Sequence, residues 1–199
     1  VVPPGIDPSF SPGGERSPVP EVLAVGRLVP VKRVDRLIRA VARVRDKIGE
    51  VVLTLVGTGY EQDALQEVAR EVGGQDWVRF AGRVDDQGLI DAYRRAWVVA
   101  SSSAREGWGM TLTEAAACGT PSVATRIAGH VDAVEDGVSG LLANDDDALV
   151  EHLHAVLSDP TLRAHLSEGA AKRAAELTWG RTATDVLSVL ADEVERSRR

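Results

Sequence analysis

The chain has 199 residues, 44% hydrophobic and 27% charged, an ordinary balance for one domain able to bury a sizeable core. A formal net charge of −7 with no dominant Lys/Arg cluster excludes nucleic-acid binding through a basic patch, and no apolar run approaches a membrane span. The single cysteine, Cys118, excludes an internal disulfide and fits a reducing, cytoplasmic setting; the small residues around it assign it to packing rather than chemistry.

Val1 to Pro20 is rich in Pro, Gly and Ser, lacks a long periodic pattern and reads as a linker leading into a domain. It has neither the basic nor the apolar region of a signal peptide and no initiator Met, which points to a piece cut from a longer chain. Residues 21–199 read as one α/β domain. Glu21 to Gly26 predicts a short buried strand. A loop follows, then a helix with Val34, Leu37, Ile38, Val41 and Val44 on one face. Arg27 and Lys32 in that loop are two cations suited to a diphosphate, one a planar fork and the other a compact point charge. Val51 to Val56 predicts a second buried strand, ending in Gly57-Thr58-Gly59, a fragment of a dinucleotide fingerprint that lacks its third Gly. A helix from about Tyr60 to Glu71 is stopped by Gly73-Gly74. Trp77 to Ala81 predicts a third strand, Asp85 or Asp86 caps a helix to Arg95, and Trp97 to Ala100 predicts a fourth strand.

The stretch from Ser103 to Pro121 organises the rest. It reads as a small-residue turn, a helix and a Gly-Thr-Pro stop, so it completes a strand–loop–helix unit facing a ligand crevice. The helix start offers free N–H groups and a positive dipole end to a phosphate, around Met110 and Thr111. Gly107 and Gly109 let a ligand approach their backbone closely. Glu106 and Glu114 bracket the turn, and a carboxylate accepts paired hydrogen bonds from vicinal hydroxyls. A phosphate cradle between two diol binders describes a site for a nucleotide joined to a sugar. Ser122 to Ala124 predicts a fifth strand, Thr125 to Asp132 a loop, and Asp136 to Leu142 a turn and short strand. Asp145 to Asp147 start a helix with Val150, Leu153, Val156 and Leu157 on one stripe, broken at Asp159-Pro160. Leu162 to Leu177 and a last helix after Thr178-Trp179-Gly180 complete the chain, with Trp179 as a packing residue. Alternating strands and helices predict a Rossmann-like parallel β-sheet with helices on both faces.

Glu106, seven intervening residues and Glu114, with Gly107-Trp108-Gly109 inside, resemble the Glu-x7-Glu signature of the retaining glycosyltransferases of family 4, which have the GT-B fold. Arg27-Leu28 through Lys32 resembles the family's Gly-Arg-Leu-x-x-x-Lys-Gly segment, departing from it at Arg33, where the family has Gly. Thr125 to Asp132 resembles the family's Gly-Gly-x-x-Glu loop, with Ala128 for the first Gly and Asp132 for the Glu. The resemblance covers about Val1 to Arg196 and implies one half of a GT-B fold, the C-terminal, donor-binding half. Val1 to Asp7 is similar to the strand and turn by which the family's chain enters that half. The donor implied is a UDP-, GDP- or ADP-sugar, whose hexosyl group passes to an acceptor hydroxyl with retention. Arg27 and Lys32 take the diphosphate roles and Glu106 the sugar hydroxyls, and these are the catalytic assignments. Donor-binding roles fall to Gly57, Arg83, Val84, Gly107, Trp108, Gly109, Met110, Thr111 and Glu114, the last on the ribose. No cofactor is required. The acceptor site lies on an N-terminal domain of the same polypeptide, through which alone any peripheral membrane contact would come, so this piece by itself is expected to transfer no sugar.

Other chemistries find no motif. His152 and His154 sit two apart on a predicted helix and point in different directions, and there is no Cys pair or His-Glu-x-x-His for zinc. There is no P-loop and no nucleophile elbow. Gly26-Arg27-Leu28 lacks the glycines of an NAD-binding turn. The alternative reading is a stand-alone nucleotide-binding or regulatory module of the same fold. Abundant Ala, Val, Arg and Asp fit a GC-rich bacterial genome.

Overall fold

A strand buried on both faces sits at the middle of the sheet: β1 (Glu21–Val25) pairs in parallel with β2 (Val52–Val56) on one side and β4 (Val98–Ser101) on the other. With β3 (Val78–Gly82), β5 (Ser122–Thr125) and β6 (Gly140–Ala143) the spatial order is β3-β2-β1-β4-β5-β6, all parallel. This structure, a computed structural model, describes residues 1–197; the last two residues of the expected domain lie outside it. The helices are α1 (Val34–Ile48), α2 (Gln62–Glu71), α3 (Asp86–Arg95), α4 (Met110–Ala117), α5 (Ala128–Ala133), α6 (Asp146–Ser158), α7 (Pro160–Ala175) and α8 (Trp179–Ser197).

The apolar strand runs follow from coverage of both faces. Successive side chains alternate between two cores: Val22, Leu53, Leu55 and Val98 face α1 and α6, while Leu23, Val56 and Val99 face Tyr93 of α3 and Leu112 of α4. Each fully buried Leu, Ile or Val stabilises the fold by roughly 1.5–3 kcal/mol. The predicted face of α1 is the buried one: Val34, Leu37, Ile38, Val41 and Val44 are all in the core. Asp85, Asp145 and Asp159 cap α3, α6 and α7, each accepting from a backbone N–H of the first turn.

Three features differ from expectation. Residues 1–20 contain no strand, yet they are strapped down. Ile6 N–H reaches the Leu177 carbonyl at 2.9 Å, and Ser17 N–H reaches the Arg95 carbonyl at 2.9 Å. Arg16 donates to the Ala96 carbonyl, to Thr120 Oγ1 (2.6 Å) and to the Gly119 carbonyl (2.6 Å). Residues 128–133 are helical rather than a loop, and Gly129 lets that helix nest on the Glu106–Trp108 backbone: a Cβ there would lie 2.6 Å from the Glu106 carbonyl oxygen. Trp179 is 57% exposed, more than expected of a packing residue, yet its backbone and the root of its ring both abut Gly5, where a Cβ would lie 2.3 Å from Trp179 N and 2.6 Å from Trp179 Cγ. Cys118 is buried, and burial pushes its thiol up to about 11, which fits packing.

The chain passes from β1 through β2 to β3 at one edge, then returns to β4 and moves to β6 at the other. The direction reverses between β1 and β4, and in such sheets the carboxyl ends at this reversal flank the ligand crevice.

Candidate functional site

At that reversal lies a shallow cleft lined by Gly26, Arg27, Leu28, Lys32, Ser101 and Ser102, among others. Arg27 is exposed at its rim. Lys32 ends a short 3₁₀ turn, Pro30–Lys32. Arg33 follows in the left-handed region (φ 47°), alone among the described non-glycine residues. The conformation that glycine adopts freely is thus retained here by an arginine at a local cost. Ser102 Oγ holds this turn by donating to the Lys32 and Arg33 carbonyls (3.1 and 2.7 Å), and Ala104 N–H donates to the Val31 carbonyl at 2.8 Å. The β1–α1 turn and the β4–α4 loop are therefore one tied unit.

Glu106 comes from the second of these. Its Oε1 accepts from Lys32 Nζ at 2.5 Å and from Ser103 Oγ at 2.6 Å. Burial raises the Glu106 pKa, but the hydrogen bonds from Lys32 and Ser103 outweigh burial and leave it below the ordinary value. A carboxylate and an ammonium separated by 74 residues in sequence thus face each other at the cleft.

Gly109 opens α4 at φ 94°, a conformation that requires glycine, and no side chain caps this helix. The Leu112 N–H is taken by the Gly109 carbonyl at 2.9 Å. The first-turn N–H groups of Met110 and Thr111 have no acceptor among the described residues. Gly107 is exposed, and a Cβ there would meet nothing within 4 Å. One turn into α4, Glu114 Oε2 accepts from the hydroxyl of Tyr93 at 2.8 Å. Burial pushes the Glu114 carboxyl up against the opposing effect of that hydrogen bond; burial and the charge of Glu114 push the Tyr93 hydroxyl well up. Tyr93 is fully buried and was not among the expected site residues. Its only signal in the sequence is a polar tip on the apolar face of α3.

The remaining expected residues stand differently. Trp108 packs its ring among the apolar residues beneath α4 and α7, so it can serve the cleft only through its backbone. Gly57, at φ 129°, sits where a Cβ would lie 2.0 Å from the Gly26 carbonyl oxygen. Gly57 and Gly59 let the β2–α2 turn cross closely over the loop after β1. Arg83 is exposed beyond β3, two strands from β1, while the half-buried Val84 packs its side chain against the core. Behind the loop, His130 is 1% exposed, and its ring lies between Thr125 and Ser101. Burial holds the His130 pKa below its ordinary value, against the hydrogen bond to Thr125 and the charge of Glu106. Among the described residues no group of three His, Cys, Asp or Glu side chains gathers as a metal site, and no helix is long and apolar enough to cross a membrane.

A doubly wound parallel sheet with cations, an uncapped helix N-terminus and two carboxylates at its reversal point has the form of a Rossmann-like half-domain with a crevice suited to an anionic ligand. The comparisons agree: the family model described as "Glycosyl transferases group 1" matches residues 7–173, and the chain belongs to this family. It is 37% identical over 211 residues to the D-inositol 3-phosphate glycosyltransferase of Nocardiopsis dassonvillei, covering 95% of this chain and 49% of that protein. The enzyme of the same name from Stackebrandtia nassauensis is 37% identical over 217 residues, covering 98% of this chain and 49% of that protein. The chain thus spans about half the length of these curated relatives. Among solved structures, the sucrose-phosphate synthase of Thermosynechococcus elongatus superposes with a TM-score of 0.86 at 26% identity, over 98% of this chain and 52% of that one. HepE of Anabaena, in complex with UDP and glucose, superposes at 0.82 and 25% identity, over 94% of this chain and 55% of that one. Both matches confirm the fold as the C-terminal-type half of a GT-B glycosyltransferase.

Proposed function

We propose that this chain is the donor-binding half of a retaining hexosyltransferase and that its cleft takes the diphosphate of a nucleotide sugar. The observation that carries this reading is the Lys32–Glu106 pair at 2.5 Å, with Arg27 beside it on the cleft wall and the uncapped start of α4 on the same loop as Glu106. Negative charge grows on the leaving nucleoside diphosphate as the glycosidic bond breaks. Arg27, Lys32 and the N–H groups of Met110 and Thr111 stabilise it where it develops, in place of a divalent cation. The arriving diphosphate takes over Lys32, and Glu106 is released to accept from the sugar hydroxyls. Glu114, with Oε2 occupied by Tyr93, offers Oε1 to the ribose diol. Gly57, Arg83 and the backbone at Val84 form the side toward the base, while Gly107 and Gly109 admit the sugar and phosphates. UDP in the HepE structure and the names of the relatives support a nucleotide sugar as the ligand class.

The acceptor binds mainly on the half of the polypeptide that the relatives have and this chain does not span, so the chain alone binds donor weakly and transfers no sugar. Thermal unfolding with UDP, GDP, ADP and NAD in excess tests the reading. A ligand at about 100 times its dissociation constant stabilises by roughly 2.7 kcal/mol. One nucleoside diphosphate should shift the transition, and Lys32→Ala and Glu114→Ala should each cut that shift by about half or more. A shift with NAD alone, or none with any diphosphate, would contradict it, as would turnover by the chain alone.

A further inference from the structure

A line of polar groups runs from the core to the Glu106 carboxylate. His130 donates from Nδ1 to the Thr125 carbonyl at 2.7 Å; since a carbonyl only accepts, this nitrogen carries the hydrogen and Nε2 of the neutral ring is an acceptor. Nε2 lies 3.2 Å from Ser101 Oγ, which in turn lies 3.2 Å from Ser103 Oγ. Ser103 spends its one hydrogen on Glu106 Oε1, at 2.6 Å. Ser101 therefore has one hydrogen and two acceptors, Nε2 and Ser103 Oγ. At 3.2 Å from each, the hydroxyl lies between the two acceptors. The imidazole has no room to leave: a Cβ at Gly109 would lie 3.2 Å from His130 Cδ2, and the side chain is 1% exposed.

A buried position needing only bulk is filled by Leu or Ile, with no polar group to satisfy. This one carries a ring whose two nitrogens tie the end of β5 to the end of β4, and the second tie leads through two hydroxyls to Glu106. We propose that His130 is a positioning residue for Glu106, acting through Ser101 and Ser103 to hold the carboxylate in the orientation that receives the donor sugar. The proposal rests on the reading above, in which Glu106 binds sugar hydroxyls. His130 touches no substrate; it fixes Ser101, Ser101 steadies Ser103, and Ser103 sets which lone pairs of Glu106 remain for the sugar once the diphosphate has drawn Lys32 away.

The test separates nucleotide from sugar. The chain is titrated by calorimetry with UDP and with UDP-glucose and UDP-N-acetylglucosamine, and the ratio of the two affinities measures the sugar's share. Ser101→Ala and His130→Asn, the latter keeping a donor for the Thr125 carbonyl, should each cut that ratio about three- to tenfold while leaving UDP affinity within about twofold. Ser101→Thr, which keeps the hydroxyl and suits a strand end, should restore it. Equal weakening of UDP and UDP-sugar by these variants would reduce His130 to a structural role and overturn the proposal. An unchanged ratio in both, with the ratio lost in Glu106→Gln, would also overturn it while leaving the donor-binding reading intact. A ratio unmoved by Glu106→Gln itself would remove the sugar role of Glu106 and the proposal with it.

Discussion

Lys32 is the residue on which the site turns, and its effects on stability and on binding separate. It is a partly exposed ion pair with Glu106, and such pairs are worth about 0–1 kcal/mol to the fold. Lys32→Ala should therefore leave the unfolding transition nearly unchanged while weakening UDP binding about tenfold or more, as calorimetry would show. The sequence suggested both members of the pair but not their contact, because nothing local links positions 74 residues apart. The roles of Tyr93, Ser101 and His130 are not legible in the sequence for the same reason. A tyrosine on an apolar helix face and a histidine in a loop have no periodic or spacing signature, and their roles exist only once β4, β5 and α4 meet. Glu106 also carries a pH signature. Its folded pKa lies below the ordinary 4.5, so its stabilisation is present above the unfolded value and lost as pH falls through the folded one. The difference in unfolding free energy between the native chain and Glu106→Gln should be flat above about pH 5 and shrink below it.

Among the elements, those set by periodicity were legible: the buried face of α1 and the apolar β-strands follow from patterns of 3.6 and 2. Turns set by contact were not. Gly57-Thr58-Gly59 resembles part of a nucleotide fingerprint, and its glycines also serve the close crossing over Gly26 and Leu28, which the sequence does not show. The six-residue α5 has no helical signature in the sequence, because its formation depends on Gly129 fitting against the Glu106 backbone. Two substitutions probe the turns that frame the cleft. Gly109→Ala forces a side chain into φ 94° and against His130, and should cost about 1–2 kcal/mol in urea unfolding and weaken nucleotide binding as well. Arg33→Gly relieves the left-handed strain at the loss of an exposed pair with Asp35, and should stabilise the chain by up to about 1 kcal/mol. A loss of stability there would show that the turn tolerates arginine for a reason beyond the backbone.

Across the whole molecule, residues 1–20 act as a strap rather than a trailing segment. Composition marked them as irregular but carried no hint that Arg16 reaches 103 and 104 residues ahead to the turn after α4. Arg16→Ala should cost about 2–3 kcal/mol, and Arg16→Lys should recover little of it, since a point charge cannot serve three acceptors held by a planar fork. At the other end α8 buries no residue and leaves Leu187 66% and Leu190 56% exposed, so the strap and α7, not α8, close the domain.

On the proposed reading, a nucleoside diphosphate sits between the β1–α1 turn and the start of α4. The amide proton–nitrogen spectrum of the chain, titrated with UDP, tests it most directly. The largest shifts should fall on Met110 and Thr111, whose N–H groups have no acceptor among the described residues, and on Arg27 through Lys32. Shifts gathered elsewhere, with Met110 and Thr111 unmoved under saturating UDP, would contradict the account.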